Sequence, residues 1–437
     1  MPSLLAPRQT ISRAGLCAAI LATAFALALP AQAQTFTVLH NFTGGADGAT
    51  PYAGLTIDRA GNFYGTAEFG GYMGQCCGTG CGTVFKLSRA GSGWTITPIY
   101  AFQGFYTGDG AEPIARVTFG PDGALYGATS QGGSQECSYS DCGIVFRLTP
   151  QATACKTALC PWTETILHTF LGGQSDGAFP GTGDVVFDST GNLYGTTGEG
   201  GGGMCDDYTC GTVYEVSPSR GGWTESLIFH FGSPSFFPNA GLTLDGSGNL
   251  YGTTTNINGA VYELEKNGGG WRPESVFDFT NSPEFGLYGG VTFDSSGNLY
   301  GTTAGGGPGD GGTVFELTPS GGSWTMTILY SFTGTWHNTP PGPTSTLTMD
   351  ASGALYGDTH TEGAYGYGNI FKLTPSQGGW TYTSLHDFTG GSDGGFPWGQ
   401  VILDANGNIY GTTTAGGSTV GSCYQNLGCG VVFEITP

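Results

Sequence analysis

Three groups of residues in this chain are of types that can do chemistry. The first is Asp358, His360 and Glu362, in the stretch Gly357-Asp358-Thr359-His360-Thr361-Glu362. On an extended strand they alternate with their neighbours, so all three point the same way, and His337 lies in the preceding loop. An imidazole among carboxylates can hold a divalent cation, Ca²⁺ or Mg²⁺, or do general acid–base work. Read that way, His360, Glu362 and His337 are the catalytic candidates and Asp358, His360 and Glu362 the metal ligands; a solvated strand end explains the same residues more plainly. The second group is Arg116, Asp184 and Gln400. They stand where parallel segments carry Gly54, Gly241, Gly290 and Thr346. A guanidinium suits a carboxylate and a carboxamide suits a hydroxyl, so the set can grip a ligand; the structural alternative is an ion pair between Arg116 and Asp184. The third group is Asp47, Asp109, Asp176 and Asp393, each in Asp-Gly-x-x-Pro. Carboxylates around a ring can bind Ca²⁺, and Asp-Gly followed by Pro is equally a turn signal. Tyr72, Phe179, Trp336, Phe396 and Trp398 lie in the same loops, suited to stacking on sugars or to capping an apolar layer.

What must position these residues is a phrase repeated seven times. It runs Asp-x-x-Gly-Asn-Leu-Tyr-Gly-Thr-Thr, a Gly-rich stretch, then Gly-Thr-Val-Phe-x-Leu-Thr-Pro, with its Tyr-Gly pair at Tyr64, Tyr126, Tyr194, Tyr251, Tyr300, Tyr356 and Tyr410. A unit of this size cannot bury its apolar face alone and needs neighbours. Within the first unit, 54–58, 63–67, 83–87 and 94–102 read as strands A to D, alternating with period two between Gly and Asn turns. Four antiparallel strands per unit make a propeller blade. The chain ends after strand C of the seventh unit, and it supplies the missing strand D near its start, at 35–42. The expected fold is therefore all-β: a seven-bladed β-propeller of four-stranded antiparallel blades, closed by pairing of the N-terminal strand with the last blade. Parity places the short A–B and C–D turns on one face and the long, variable B–C and D–A loops on the other. The variable loop face is the expected binding face.

The phrases Gly191-Asn192-Leu193-Tyr194-Gly195-Thr196-Thr197 and Gly312-Thr313-Val314-Phe315-Glu316-Leu317-Thr318-Pro319 resemble the GloVer (Gloeobacter/Verrucomicrobium) tandem repeat of exported bacterial proteins. So does Leu385-His386-Asp387-Phe388-Thr389-Gly390-Gly391-Ser392-Asp393-Gly394. The resemblance covers nearly all of the chain after residue 34. It implies a bacterial, extracytoplasmic, repeat-built protein and assigns no activity and no catalytic residues.

The rest of the sequence agrees with export. Arg8 and Arg13 precede an apolar run, and Ala31-Gln32-Ala33 fits a cleavage site, so 1–33 reads as a signal peptide and 34–437 as a single propeller domain. The expected location is secreted, periplasmic or extracellular. Cysteines outside the leader fall in short brackets: Cys76 or Cys77 with Cys81, Cys137 with Cys142, Cys155 with Cys160, Cys205 with Cys210, and Cys423 with Cys429. Disulfides stapling loops in an oxidising compartment fit these better than zinc, because no His sits near them. Pairing Cys76 with Cys81 leaves Cys77 alone. Formal net charge is −21, and −23 once Arg8 and Arg13 leave with the leader. That excludes nucleic acid and anionic membrane surfaces as natural partners, and no apolar stretch suited to membrane insertion follows the leader. A monomer with a glycan or protein ligand is expected, and the one cofactor in view is a divalent cation, Ca²⁺ or Mg²⁺. Three functions compete: a non-catalytic binding or interaction module for a glycan, cation or protein; a metal-assisted lyase or hydrolase using the 358–362 cluster; and a structural spacer or matrix protein.

Overall fold

A computed structural model of the chain describes residues 34–437 except 73–78, 105–106, 138–141, 152–161, 182, 203–209, 233–236, 239, 256–258, 281, 335–339, 418–422 and 424–426. The described residues form seven small antiparallel sheets arranged as a seven-bladed propeller. In blade one, strands A to D are Thr56–Ile57, Phe63–Ala67, Thr83–Ala90 and Gly93–Ala101. Strand A is shorter than its apolar pattern suggests. Only Thr56↔Tyr64 and Ile57↔Phe63 pair.

The ring closes as the termini require. The first strand, Thr35–Asn41, lies antiparallel to Val431–Thr436, with Thr35 opposite Thr436 and Asn41 opposite Val431. The last blade thus takes its outer strand from the start of the chain. In blade three the loop strand Gly177–Pro180 adds to strand B of the same blade. No described helix is long and apolar enough to cross a membrane.

The repeated phrase is turn chemistry followed by core. Asp58 Oδ1 accepts from the backbone N–H groups of Ala60 and Asn62, both at 2.9 Å; Oδ2 accepts from Asn62 Nδ2 at 2.8 Å and the Tyr64 hydroxyl at 3.2 Å. Burial alone would raise this carboxyl, but those donors together hold it below its ordinary value. Asp188, Asp294, Asp350 and Asp404 repeat the arrangement. The Tyr that follows each Asp is therefore tied at its polar tip while its ring fills the space between blades. At the junction of blades seven and one, Leu55, Phe63, Phe85, Leu87 and Phe42 pack with Tyr410 and Val432.

Two further contacts join blades. Around the channel, strand A threonines donate to a carbonyl on the next blade: Thr243 to Val291 at 2.6 Å and Thr292 to Leu347 at 2.7 Å, with Thr56 and Thr348 doing the same. At the seams, the Gly before strand C meets the Pro of the next loop. A Cβ on Gly430 would lie 2.2 Å from the Thr413 carbonyl oxygen and 2.6 Å from Pro51 Cδ, so the glycine is sterically required there.

Candidate functional site

The strand A starts meet around the channel, and there the sequence departs from its repeat. Arg116 Nη2 pairs with Asp184 Oδ2 at 2.7 Å across blades two and three, and the Arg116 N–H donates to Asp184 Oδ1 at 2.9 Å. About a quarter of each side chain is exposed, 23% and 27%, so the pair is still reachable by a ligand. The Arg116 Nε is buried without a partner. Gln400 Nε2 donates to the Leu347 carbonyl at 3.3 Å and to Thr348 Oγ1 at 3.2 Å. Arg116, Asp184, Thr346 and Gln400 line one cavity of about 500 Å³, whose other walls include Phe119, Phe187, Leu242 and Leu244. This volume is in the range of small-ligand sites, and a few polar groups on an apolar wall are the usual composition. The cavity runs along strand A, from Arg116 and Asp184 at its start to Phe119 and Phe187 further along. A neighbouring cavity of about 650 Å³ is lined by the turn residues Asp294, Ser295 and Asp350 to Gly353.

On the loop-face side lies a smaller cavity of about 70 Å³, lined by Tyr52, Gly54, Tyr288, Trp398 and Gln400 among others. Backbones there approach too closely for side chains: a Cβ on Gly54 would lie 2.3 Å from the Gln400 carbonyl oxygen. Tyr52, Tyr288 and Trp398 are half-buried there. Trp398 meets Tyr52 at 5.0 Å and Tyr288 at 5.8 Å between ring centroids. Beside them, burial and then the charge of Glu112 push the Glu68 carboxyl up to about 8. Among the described residues, the expected binding face thus meets the smaller of these cavities.

The blade-six residues turn to different partners. Strand B of that blade, Leu355–Thr359, ends before His360. The Thr361 and Glu362 N–H groups both donate to the Pro341 carbonyl, so the chain bends and the expected alternation has no strand to run on. Asp358 is wholly buried, accepts from Ser345 Oγ at 2.5 Å and keeps Oδ2 without a partner; burial pushes it up to about 7. His360 instead packs against Phe396 and Trp398, at 5.3 and 4.8 Å. Burial pushes its imidazole down to about 4. Glu362 turns toward blade five and accepts from the Gly334 N–H, and burial raises its carboxyl. His337 and Trp336 lie outside the described residues. Asp358, His360 and Glu362 therefore do not converge on one point.

The Asp-Gly-x-x-Pro carboxylates are held by their own turns. Asp47 accepts from the Thr43 N–H at 3.0 Å, and Asp393 from the Thr389 N–H at 3.0 Å. Each also meets a strand D imidazole: His40–Asp47 at 3.0 Å, His168–Asp176 at 3.2 Å and His386–Asp393 at 3.1 Å. At Asp109 the Tyr100 hydroxyl takes the imidazole's place, at 3.1 Å. The loop aromatics are divided. Tyr72 is exposed, whereas Phe179 packs on the core between blades two and three. Disulfides join Cys137 to Cys142 and Cys423 to Cys429. Cys81 and Cys210 are also disulfide-bonded; Cys76, Cys77, Cys155, Cys160 and Cys205 lie outside the described residues.

Tyr52 and Tyr288 are not singled out by sequence reading. Their signal is available there, because each stands two residues before the strand A start that aligns Gly54, Gly290 and Gln400, as Trp398 does. The His–Asp pairs escape for a similar reason: strand and loop are read separately, although the partners are only seven or eight residues apart.

The repeat phrase, the blade geometry and the closed ring define a repeat-built propeller. The chain belongs to the Gloeobacter/Verrucomicrobia repeat family, whose model matches residues 21–166, 140–349 and 255–437. Comparison with curated proteins finds no match. Among solved structures it is similar to a protein of unknown function from Dyadobacter fermentans, at 11% identity and TM-score 0.44, over 73% of this chain and 92% of that one. It is also similar to a putative oxidoreductase (glucose dehydrogenase) of Thermus thermophilus, at 13% identity and TM-score 0.44, over 92% of this chain and 100% of that one.

Proposed function

We propose that this chain is an exported, non-catalytic binding module that takes a neutral, hydroxyl-bearing ligand, a glycan unit, into its central channel from the side of the A–B turns. The observation that carries this is the gathering of Arg116, Asp184, Thr346 and Gln400 on one cavity of about 500 Å³. Three of these break the small-residue pattern of the strand A starts, and the fold has placed all of them on the wall of one space. Asp184 already neutralises Arg116, so the site offers donors and acceptors with little net charge. That balance favours vicinal hydroxyls over an anion, because a second carboxylate would have to compete with Asp184. Phe119 and Phe187 supply apolar wall for the ring face. The metal-assisted reading draws no support from blade six, since Asp358, His360 and Glu362 face apart.

Glycan-array screening of the folded protein, followed by calorimetric titration of the hits, tests the reading. Gln400→Ala and Asp184→Asn should each weaken binding about tenfold, the effect of losing one or two hydrogen bonds in a closed site. Absence of any glycan binding, or binding indifferent to both substitutions, would favour the spacer.

A further inference from the structure

We propose a divalent transition-metal site, suited to zinc, at the outer seam between blades two and three. Its ligands are His168, Asp176 and Glu225. Their ligand atoms all lie within 4.8 Å of one another, the one such trio of His, Cys, Asp or Glu among the described residues. His168 is on strand D of blade two, Thr163–Thr169, and Glu225 on strand D of blade three, Gly222–His230. Asp176 is on the loop between those blades. The ion would therefore clasp two blades, far from the channel.

Two independent features support the site. His168 Nε2 lies 3.2 and 3.3 Å from the two Asp176 oxygens. Those oxygens are oriented from behind by the Gly177 and Leu171 N–H groups, at 2.7 and 2.8 Å. Backbone donors of this kind fix a carboxylate in the pose that a metal needs. Second, Glu225 Oε1 is buried and has no hydrogen-bond partner. The equivalent seam between blades one and two places a hydroxyl where this one has the imidazole. There the Tyr100 hydroxyl lies 3.1 and 2.9 Å from Asp109 and Glu164, so it donates its one proton to one acid and can accept from the other when that is protonated, while Glu164 Oε1 keeps no partner. An imidazole nitrogen presents one proton or one lone pair and cannot bridge in the same way. A cation accepting the His168 lone pair and both carboxylates satisfies all three at once. One nitrogen and two oxygens in this spacing suit four-coordinate zinc, with the remaining position open.

The fold carries its own controls. His40–Asp47 and His386–Asp393 are the same pair at other seams, but the position matching Glu225 is Ile96 or Phe36, which offers no ligand. Zn²⁺ should be added to metal-stripped full-length protein and followed by calorimetry, by bound-metal content and by melting temperature. One zinc per chain is expected, with a rise in melting temperature. Glu225→Gln and His168→Gln should each lose at least tenfold in affinity and the thermal rise with it, while His386→Gln keeps both. No bound zinc, or zinc binding unchanged in Glu225→Gln and His168→Gln, would overturn the proposal. Glu225→Gln keeps the shape of the side chain, so its melting curve without metal shows that the variant is folded.

Discussion

The backbone N–H of Phe179 donates to the carbonyl of Cys142, 3.0 Å away across the seam between blades two and three. The contact recurs as Thr50 to Cys429, Glu112 to Cys81 and Phe237 to Cys210, at 2.9, 2.9 and 3.1 Å. Each donor precedes a proline and has a left-handed φ between 54° and 60°, a conformation that costs a non-glycine residue on the order of 1 kcal/mol. Each acceptor is a disulfide-bonded cysteine. The same turn forms at Phe396, whose N–H donates to the Tyr367 carbonyl at 2.8 Å, so the disulfides fix the acceptor carbonyl at four seams without being required for the turn itself.

Removing one bracket should loosen one seam. Replacing Cys137 and Cys142 together by Ser should cost about 2 kcal/mol, the chain-entropy contribution of so short a loop. Proteolysis should then cut first in the loop around Phe179. Unchanged melting and cleavage patterns would mean that the bracket does not support the seam.

The A–B turn is the most repeated device in the chain. At Asp188, burial opposes ionisation, but donors from Thr190 and Asn192 outweigh it and hold the carboxyl down at about 2. Asp188→Ala removes these acceptors and leaves the Tyr194 hydroxyl without its carboxylate, which should destabilise the protein by about 1–3 kcal/mol in chemical denaturation.

Stability should peak in mildly acidic solution. The turn carboxylates have lowered values, so their contribution is full above the ordinary Asp range and fades as pH falls toward about 2. Glu68, Glu164 and Asp358 are shifted the other way, to about 8, 8 and 7, chiefly by burial. Folding prefers their protonated forms. That preference is fully present below the ordinary carboxylate range and is lost as pH rises through about 7 to 8. Melting temperature should therefore be highest near about pH 4 to 5, fall toward pH 8, and fall again below about pH 3. A maximum at pH 7 to 8 would contradict these assignments.

Asp358 stands where five of the other blades carry a threonine that reaches the next blade, blade two having Ala128. Thr302 donates to the Ser345 carbonyl at 3.2 Å, and Thr412 to the Ala53 carbonyl at 2.8 Å. Asp358→Thr restores that donor and removes a buried acid. It should stabilise the fold at pH 8 by on the order of 3 kcal/mol, and far less at pH 4, since each tenfold change in proton affinity corresponds to about 1.4 kcal/mol. Equal effects at both pH values would show that the acid is not the source of the difference.

The fold is legible in the sequence because every part of it is local and repeated. The Asp-x-x-Gly-Asn turn, the Val-Phe of strand C and the match between 35–42 and the other D strands each announce themselves within a few residues. The Arg116–Asp184 pair is legible too, since aligning the strand A starts puts both on adjacent blades. Asp358, His360 and Glu362 are grouped by an alternation that needs a strand, and the strand stops at Thr359. The channel cavity is not written in any short stretch. It depends on how far seven strand A segments stand apart, which is a property of the closed ring rather than of any one repeat.

A crystal structure of the protein soaked with its best-binding glycan tests the functional account most directly. The account predicts a sugar in the channel cavity, hydrogen-bonded to Asp184 and Gln400 and within reach of Arg116. A glycan seated on the opposite loop face, or a cavity that stays free of sugar at saturating concentration, would contradict it.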